Sequence, residues 1–404
     1  MSQIFWLGTA TAIAEIDVFT VASATAADVD LLTVKDEYGA TLTTVSYTVP
    51  GSPSNSAVAT AIAAAWNANT IAAAIATASP SSALVLLTAV NAGVPQYVTS
   101  GVTGTGTLAK SSAGSNGAVA NSGPSDLNTL ANYSTGAKPA GGDSFTVNAQ
   151  AAAPILYGLT QTGVTLANLF IDLNCAQLIG QQKIPWQLNA SNVVIGRSQS
   201  GNASGPRRIN LDLSTVQTSV SVLAGNSSSA DAGQETIRLK GTNASNTIAV
   251  SGGLVGVSTS LLADTSNFPT ATADGGTLNF GVGCSTFTLV NNGATVNING
   301  ATTSVTTLRS GNTTFYGTAV ATLIVAAGGT TYPASRPSGG AAVTTLTLAG
   351  GIVDFTEDGR NVTVSTLNLG NGTIKQVAPA QVTYSAIAGL FSGTEFTSAT
   401  LQLQ

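Results

Sequence analysis

Four segments decide the fold: TLRSGNTTF (307–315), TLIVAAGGTTY (322–332), TLTLAGGIVDF (345–355) and TLNLGNGTIKQ (366–376). Each opens on a Thr-Leu pair and runs through a Gly-containing turn into a second stretch of alternating residues. Thr307, Thr322, Thr345 and Thr366 stand 15, 23 and 21 residues apart. A period of roughly twenty residues, holding a strand, a Gly/Asn turn and a second strand, suits the rungs of a parallel β-helix, because each rung stacks its backbone on the next. Inward positions then become Leu/Val/Ile stacks and outward ones Thr/Asn ladders. A β-sandwich with evenly spaced strands is the alternative, kept open by the short first interval. Either way this region is all-β, and the countable pattern lies between Thr277 and Val377.

Upstream, the texture is of short β runs broken by Gly or Asn: Ser144 to Val147, Val164 to Leu173, Asn192 to Ile195, Ile209 to Leu213, Ser219 to Leu223, Thr236 to Leu239 and Thr247 to Val250. Residues 101–125 are almost all Gly, Ser, Thr, Ala and Asn, too poor in large apolar side chains to form a core, and are expected to be a linker or exposed loop. The first hundred residues read differently. Strands are expected at Ile16 to Ala22, Val29 to Val34 and Thr41 to Val49, then one amphipathic helix from Ser54 to Asn69, with Val58, Ile62, Ala65 and Trp66 at helical spacing and Ser54 as cap. Further strands are expected at Ile71 to Ala78, Ala83 to Ala89 and Gln96 to Thr99. The fold class is therefore mainly β. A small α+β domain (1–100) and a linker or loop (101–125) precede a β-rich region (126–276) and a β-solenoid-like region (277–404).

Composition narrows the function. Only 8% of the 404 residues are charged, against roughly 25% in ordinary soluble domains, so the surface must be built from neutral polar groups. Thirteen Lys and Arg within a net charge of −5 give no clustered cations, which excludes nucleic acid as a main partner. The chain contains no histidine, so the commonest general base and metal ligand near neutral pH is missing. Cys175 and Cys284 lie far apart and are expected to be buried thiols rather than a disulfide framework. The N-terminal stretch lacks a basic segment, and Glu15 and Asp17 interrupt its apolar run, so no secretory signal is expected. Nor is a membrane partner, since no run is long and apolar enough to span a bilayer.

The chemistry-bearing candidates each have a structural reading. Asp354, Glu357 and Asp358 form the densest carboxylate cluster, which offers donors for a cation or a paired acid and base; Glu357-Asp358-Gly359 is equally the composition of a solvated turn. Asp126 and Asp143 flank a Gly/Pro-rich segment and suit either a Ca²⁺ site or turn caps. The basic pair Arg207-Arg208 suits an intersubunit ion pair or an exposed loop. Trp6, Trp66 and Trp186 fall in three segments and are read as core or interface anchors. Glycosylation sequons at Asn189, Asn202, Asn226 and Asn243 follow from the Asn/Ser/Thr-rich composition. No catalytic, cofactor-binding or metal-binding residue is assigned, and no cofactor is expected.

Two segments carry a resemblance. VSYTVPGSPSNSAVATAIAAAWNAN (45–69), followed by strands and LLTAVNAGVPQYVTSG (86–101), resembles a small module of tailed-phage structural proteins and related prophage-like genes. GPSDLNTLANYSTGAKPAGGDSFTV (123–147) resembles the N-x-A-N-W-S-x-G-x-x-P-x-x-G-D motif found where β-solenoids begin; Tyr133 stands where Trp is usual, and Leu127 where a second Trp is common. The resemblance covers residues 16 to 150. It implies a non-enzymatic virion component of a bacteriophage: a head decoration or cement protein on the capsid surface, assembled in the host cytoplasm, with the major capsid protein and further copies of itself, as a homotrimer, for partners. A tail fibre, tailspike or surface adhesin that binds host glycan is the other functional expectation. Such a protein should carry an aromatic and carboxylate-lined groove along the solenoid.

Overall fold

Alternation in the sequence becomes alternation of burial wherever the chain is extended. In Leu84–Ala89 every second residue is buried, and in Thr277–Phe280 Leu278 and Phe280 are buried while Thr277 and Asn279 are not. The computed structural model describes residues 2–197, 205–259, 265–284, 288–299, 302–317, 319–333, 341–358, 360–377, 381–389 and 400–403. The chain forms two units, one of residues 7–138 and 152–158, the other of residues 1–6, 139–151 and 159–404. The protein is mainly β, and among the described residues no helix is long and apolar enough to cross a membrane.

In the first unit, Thr41–Thr48, Val29–Lys35 and Val98–Thr103 form a three-stranded antiparallel sheet. Ala76–Ser81, Leu84–Ala89, Ile16–Ser23 and Thr107–Lys110 form a four-stranded one. Helix α1 (Asn55–Ala68) buries Val58, Ile62 and Trp66, with Ala65 half-buried, against Phe19, Leu32, Val34, Val85 and Leu87. The Ser54 hydroxyl accepts from the Ala57 amide, as expected of its cap.

Two expectations need correction here. Residues 71–75 were expected in a strand but lie in a second short helix, Thr70–Ile75, and the strand starts only at Ala76. The Asn69 carboxamide accepts from the amides of Ile71 and Ala72, and this cap with the high helix propensity of alanine outweighs the β reading of the isoleucines. The stretch 101–125, expected as linker or loop, instead supplies the end of one strand and the whole of Thr107–Lys110, where Leu108 pairs with Val21 and enters the core. One apolar residue per strand suffices when the partner strands provide the rest.

In the second unit every described strand pairing is parallel, which is not the hairpin arrangement of an antiparallel sandwich. Ser144–Val147 pairs on one side with Gln3–Phe5 and on the other with Thr160–Asp172. The ladder then runs Asn168 to Asn192, Ser219, Thr247, Thr270 and Thr288, each directly opposite the next. A second ladder runs beside it from Ile209 through Ile237, Val255, Leu278, Val296 and Thr313. The regular pairing thus begins well before Thr277, within the region where sequence offered texture alone.

The quoted repeats pair as their Thr-Leu steps require in two of three cases: Thr322 faces Thr345, and Thr345 faces Thr366, with Leu323, Leu346 and Leu367 stacked and buried behind them. The first copy is out by two residues, since Thr307 pairs with Ile324 and Thr322 with Val305. The glycine corner explains the slip. Asn312 pairs with Gly329, which sets Gly311 beside Gly328, and the same registers set Gly328 beside Gly351 and Gly351 beside Gly372. Leu308 stands two residues nearer its glycine than Leu323 does, so the turn, not the Thr-Leu pair, keeps the register.

At that corner the backbones of successive repeats touch. Gly276 and Gly351 have φ of +71° and +72°, and an added Cβ would lie 2.5 Å from the Gly253 carbonyl oxygen and 2.7 Å from that of Gly328. The following residue closes the contact: the amides of Thr277, Thr295, Ile352 and Thr373 donate to the carbonyls of Gly253, Gly276, Gly328 and Gly351 at 2.9–3.0 Å. Behind the corner Phe315, Tyr332 and Phe355 stack at centroid distances of 5.5 and 4.7 Å. Gly351→Ala is expected to cost about 2 kcal/mol or more in urea unfolding, from left-handed strain plus the carbonyl clash. Gly142→Ala, at φ +83° with open space around its Cβ, should cost less. Equal losses would mean that the close approach does not matter.

Candidate functional site

The chemistry-bearing candidates weighed in the sequence are placed, for the most part, as turn and ladder fasteners. Asp354 accepts through one oxygen from the Thr356 amide and hydroxyl, and its other oxygen lies 3.8 Å from Lys375 of the next repeat. Asp358 is buried and paired with Arg360, while Glu357 is exposed, so the three carboxylates do not converge. Asp143 accepts from the amides of Ser2 and Ala140, and these two bonds hold its carboxyl below the usual range. Asp126 accepts from the Asn128 amide and the Asn121 carboxamide. Beside it the buried Asn132 carboxamide donates to the carbonyls of Gly123 and Asp126 and accepts from Ala10, and the Tyr133 hydroxyl donates to Leu127 at 2.6 Å. The motif at 123–138 is thus a knot of backbone capping that also holds Ala10 and Asn121. Burial raises the Tyr133 hydroxyl far above its ordinary pKa.

Arg207 donates to the carbonyls of Ser228 and Ser229. Arg208 donates to Gly180 and to Asp231, and Asp231 also binds Arg238, whose side chain is 0% exposed. One carboxylate therefore serves two guanidinium groups across neighbouring strands. Trp66 is fully buried and donates to the Ala76 carbonyl at 2.7 Å; Trp6 is buried, and Trp186 meets Phe145 edge-on at 5.8 Å. Cys175 and Cys284 are both buried and free, and burial pushes their thiols up to about 11 and about 12. Three of the sequon asparagines bridge to backbone carbonyls one repeat away: Asn189 to Thr162, Asn226 to Gly205 and Asn243 to Thr215. Asn202 lies outside the described residues.

What the fold does bring together is a groove of about 580 Å³ on the parallel unit, not anticipated from sequence. Its floor is an outward column in which Gly256 faces Asn279 and Asn279 faces Asn297. The Asn297 carboxamide donates to the Asn279 oxygen at 2.8 Å, and Asn279 donates to Glu235 at 3.0 Å. The second Glu235 oxygen accepts from the Thr259 hydroxyl at 2.9 Å. Gly256 makes room for this, since a Cβ there would lie 2.7 Å from the Glu235 carboxyl carbon. Val282, Asn299 and Tyr316 complete the lining. A signal for the floor exists in sequence: TLNF (277–280) and TVNI (295–298) place Asn279 and Asn297 at the same point of two copies. Glu235 arrives from a separate turn, and nothing local marks it. Among the described residues no three His, Cys, Asp or Glu side chains cluster as a metal site would require.

Comparison with protein-family models, with curated proteins and with solved structures finds no match.

Two measurements follow from these contacts. Asp231→Ala leaves two guanidinium groups without their carboxylate and should cost about 3–5 kcal/mol of unfolding free energy, the range for breaking a buried ion pair from one side. In the α+β unit, burial raises the carboxyls of Glu15 and Asp30, so the folded state holds their protons more tightly than the unfolded chain. That contribution is fully present below the ordinary carboxylate pKa and is lost as pH rises through the raised value. Hydrogen exchange at the α1 amides should therefore slow, after correction for intrinsic rates, as pH falls through the raised values to the ordinary carboxylate range, and Asp30→Asn should flatten the change.

Proposed function

We propose that this chain is a non-enzymatic virion structural protein, a capsid decoration or cement protein that stabilises the head lattice by binding the major capsid protein, and that it assembles with itself as a homotrimer. In this reading its parallel unit is a β-helix. The ladders support that: from Ser144–Val147 onward each strand pairs with its counterpart one repeat later, at spacings that vary from 17 residues (Val290 to Thr307) to 28 (Ser219 to Thr247) while the direction stays parallel. The connectivity can also be drawn as a closed barrel. Closure would need backbone bonds between the first and last strands, and the described registers join neither Val382–Gly389 nor Thr400–Leu403 to Gln3–Phe5 or Ser144–Val147.

One observation carries the functional reading: a long run of buried aliphatic columns whose outward positions are neutral hydroxyls and carboxamides, as in Ser144, Asn168 and Asn192, bonded to one another at 2.9 and 3.3 Å. Such a stack is stiff, because every repeat is hydrogen-bonded to two neighbours. Its faces suit adhesion through many weak contacts over a broad area rather than through a few charges. The phage-like segments between residues 16 and 150 point the same way.

A tail fibre, tailspike or surface adhesin is the second reading, favoured by the groove that holds Glu235 and Tyr316. Copy number separates the two. Purified protein added to capsids lacking it is expected to occupy hundreds of symmetric sites per particle as trimers and to raise the temperature at which the heads rupture. A few to a few tens of copies, confined to the tail, would overturn the decoration reading and favour the adhesin.

A further inference from the structure

We infer that the groove above the Asn279–Asn297 ladder binds a neutral oligosaccharide. Its volume, about 580 Å³, falls in the range of roughly 300–1,000 Å³ typical of small-molecule sites. The polar groups are ordered before any ligand arrives. The chain of bonds from Asn297 through Asn279 to Glu235 fixes which end of each carboxamide is donor and which is acceptor, and Thr259 fixes the carboxylate from the other side. Pre-organised donors and acceptors lose little entropy on binding.

The lining also selects among ligand classes. Among the described residues it has one carboxylate and no cationic side chain, which disfavours phosphate, sulfate and acidic sugars. A single carboxylate with both oxygens already accepting hydrogen bonds is a poor cage for a divalent cation, which takes several oxygen ligands. A sugar, by contrast, presents alternating hydroxyls that both donate and accept, together with apolar C–H faces. Carboxamides and a carboxylate match the first, and the ring of Tyr316 and Val282, 71% exposed, match the second. Asn279 and Asn297 stand directly opposite one another on successive strands, which lie about 4.8 Å apart, so successive sugar units can be met by successive carboxamides.

The inference does not rest on the capsid reading. Sugar titration of the isolated protein and copy number on particles can each fail without the other. The test is saturation-transfer NMR and calorimetry on the full chain with maltohexaose, mannohexaose, chitohexaose and a galactose hexasaccharide, and with calcium chloride alone. Saturable binding of at least one oligosaccharide is expected at about 1 mM or tighter. Asn297→Ala and Tyr316→Ala should weaken it at least about tenfold while thermal unfolding stays at the wild-type temperature. Val282→Asp, at an exposed position, is the companion variant should either of these perturb the fold, and it should weaken binding comparably. The inference is overturned if no oligosaccharide binds, if only calcium binds, or if sugar binding is untouched by folded variants of these residues.

Discussion

The corner at which the repeats from Gly253 onward turn back is the constraint on which the regular stack depends. There the carbonyl of one glycine receives the amide that follows the next, and the two backbones approach too closely for any Cβ, as at Gly276 over Gly253 and Gly351 over Gly328. Because this contact repeats, the strands on either side are held in register whatever the length of the loops between them. Loop length can then vary, as it does between the 17 residues from Asn312 to Gly329 and the 23 from Gly329 to Ile352, without disturbing the columns of Leu, Val and Ile inside.

Low charge follows from the same geometry. In a parallel in-register stack, an ionised side chain meets its counterpart one repeat away, and like charges so placed repel. Thr, Ser and Asn avoid this, since each can donate to one neighbour and accept from another, and asparagine additionally reaches backbone carbonyls a repeat away, as Asn267 does to Thr242 at 2.7 Å. The charges retained include opposite pairs across repeats, Arg197 with Asp172, Lys375 with Asp354 and Arg208 with Asp231, and one within a repeat, Arg238 with the same Asp231. Asn291 obeys the same logic inside the stack. It lies fully buried in an aliphatic column, with its carboxamide bonded to Ala294, Asn312, Thr313 and Gly293.

Most of the acidic residues that drew attention in the sequence are therefore fasteners, while the groove at Glu235 is assembled from residues of five separate segments. Its Asn279 and Asn297 are ladder residues like the others. Glu235 makes the site different, since it folds into the space left by Gly256 and turns a purely structural column into an ordered polar surface.

By itself the sequence determined the secondary-structure classes, because these depend on local alternation and capping. Most strands of the α+β unit, the α1 helix with its Ser54 cap, the inward Leu and outward Thr of the Thr322, Thr345 and Thr366 copies and the buried free cysteines were all legible. It left two things to the tertiary structure. Register was one: the Thr-Leu pair at Thr307 looked equivalent to the others, but the backbone contact at Gly311 and Gly328 sets the pairing two residues away. The assignment of marginal segments was the other. Residues 71–75 became helical through the Asn69 cap, and Thr107–Lys110 became a strand because neighbouring sheets supplied the apolar surface it lacks. The groove belongs to the same class, for its carboxylate and its carboxamides are distant in sequence, and only the stacking of one repeat on the next brings them within hydrogen-bonding distance.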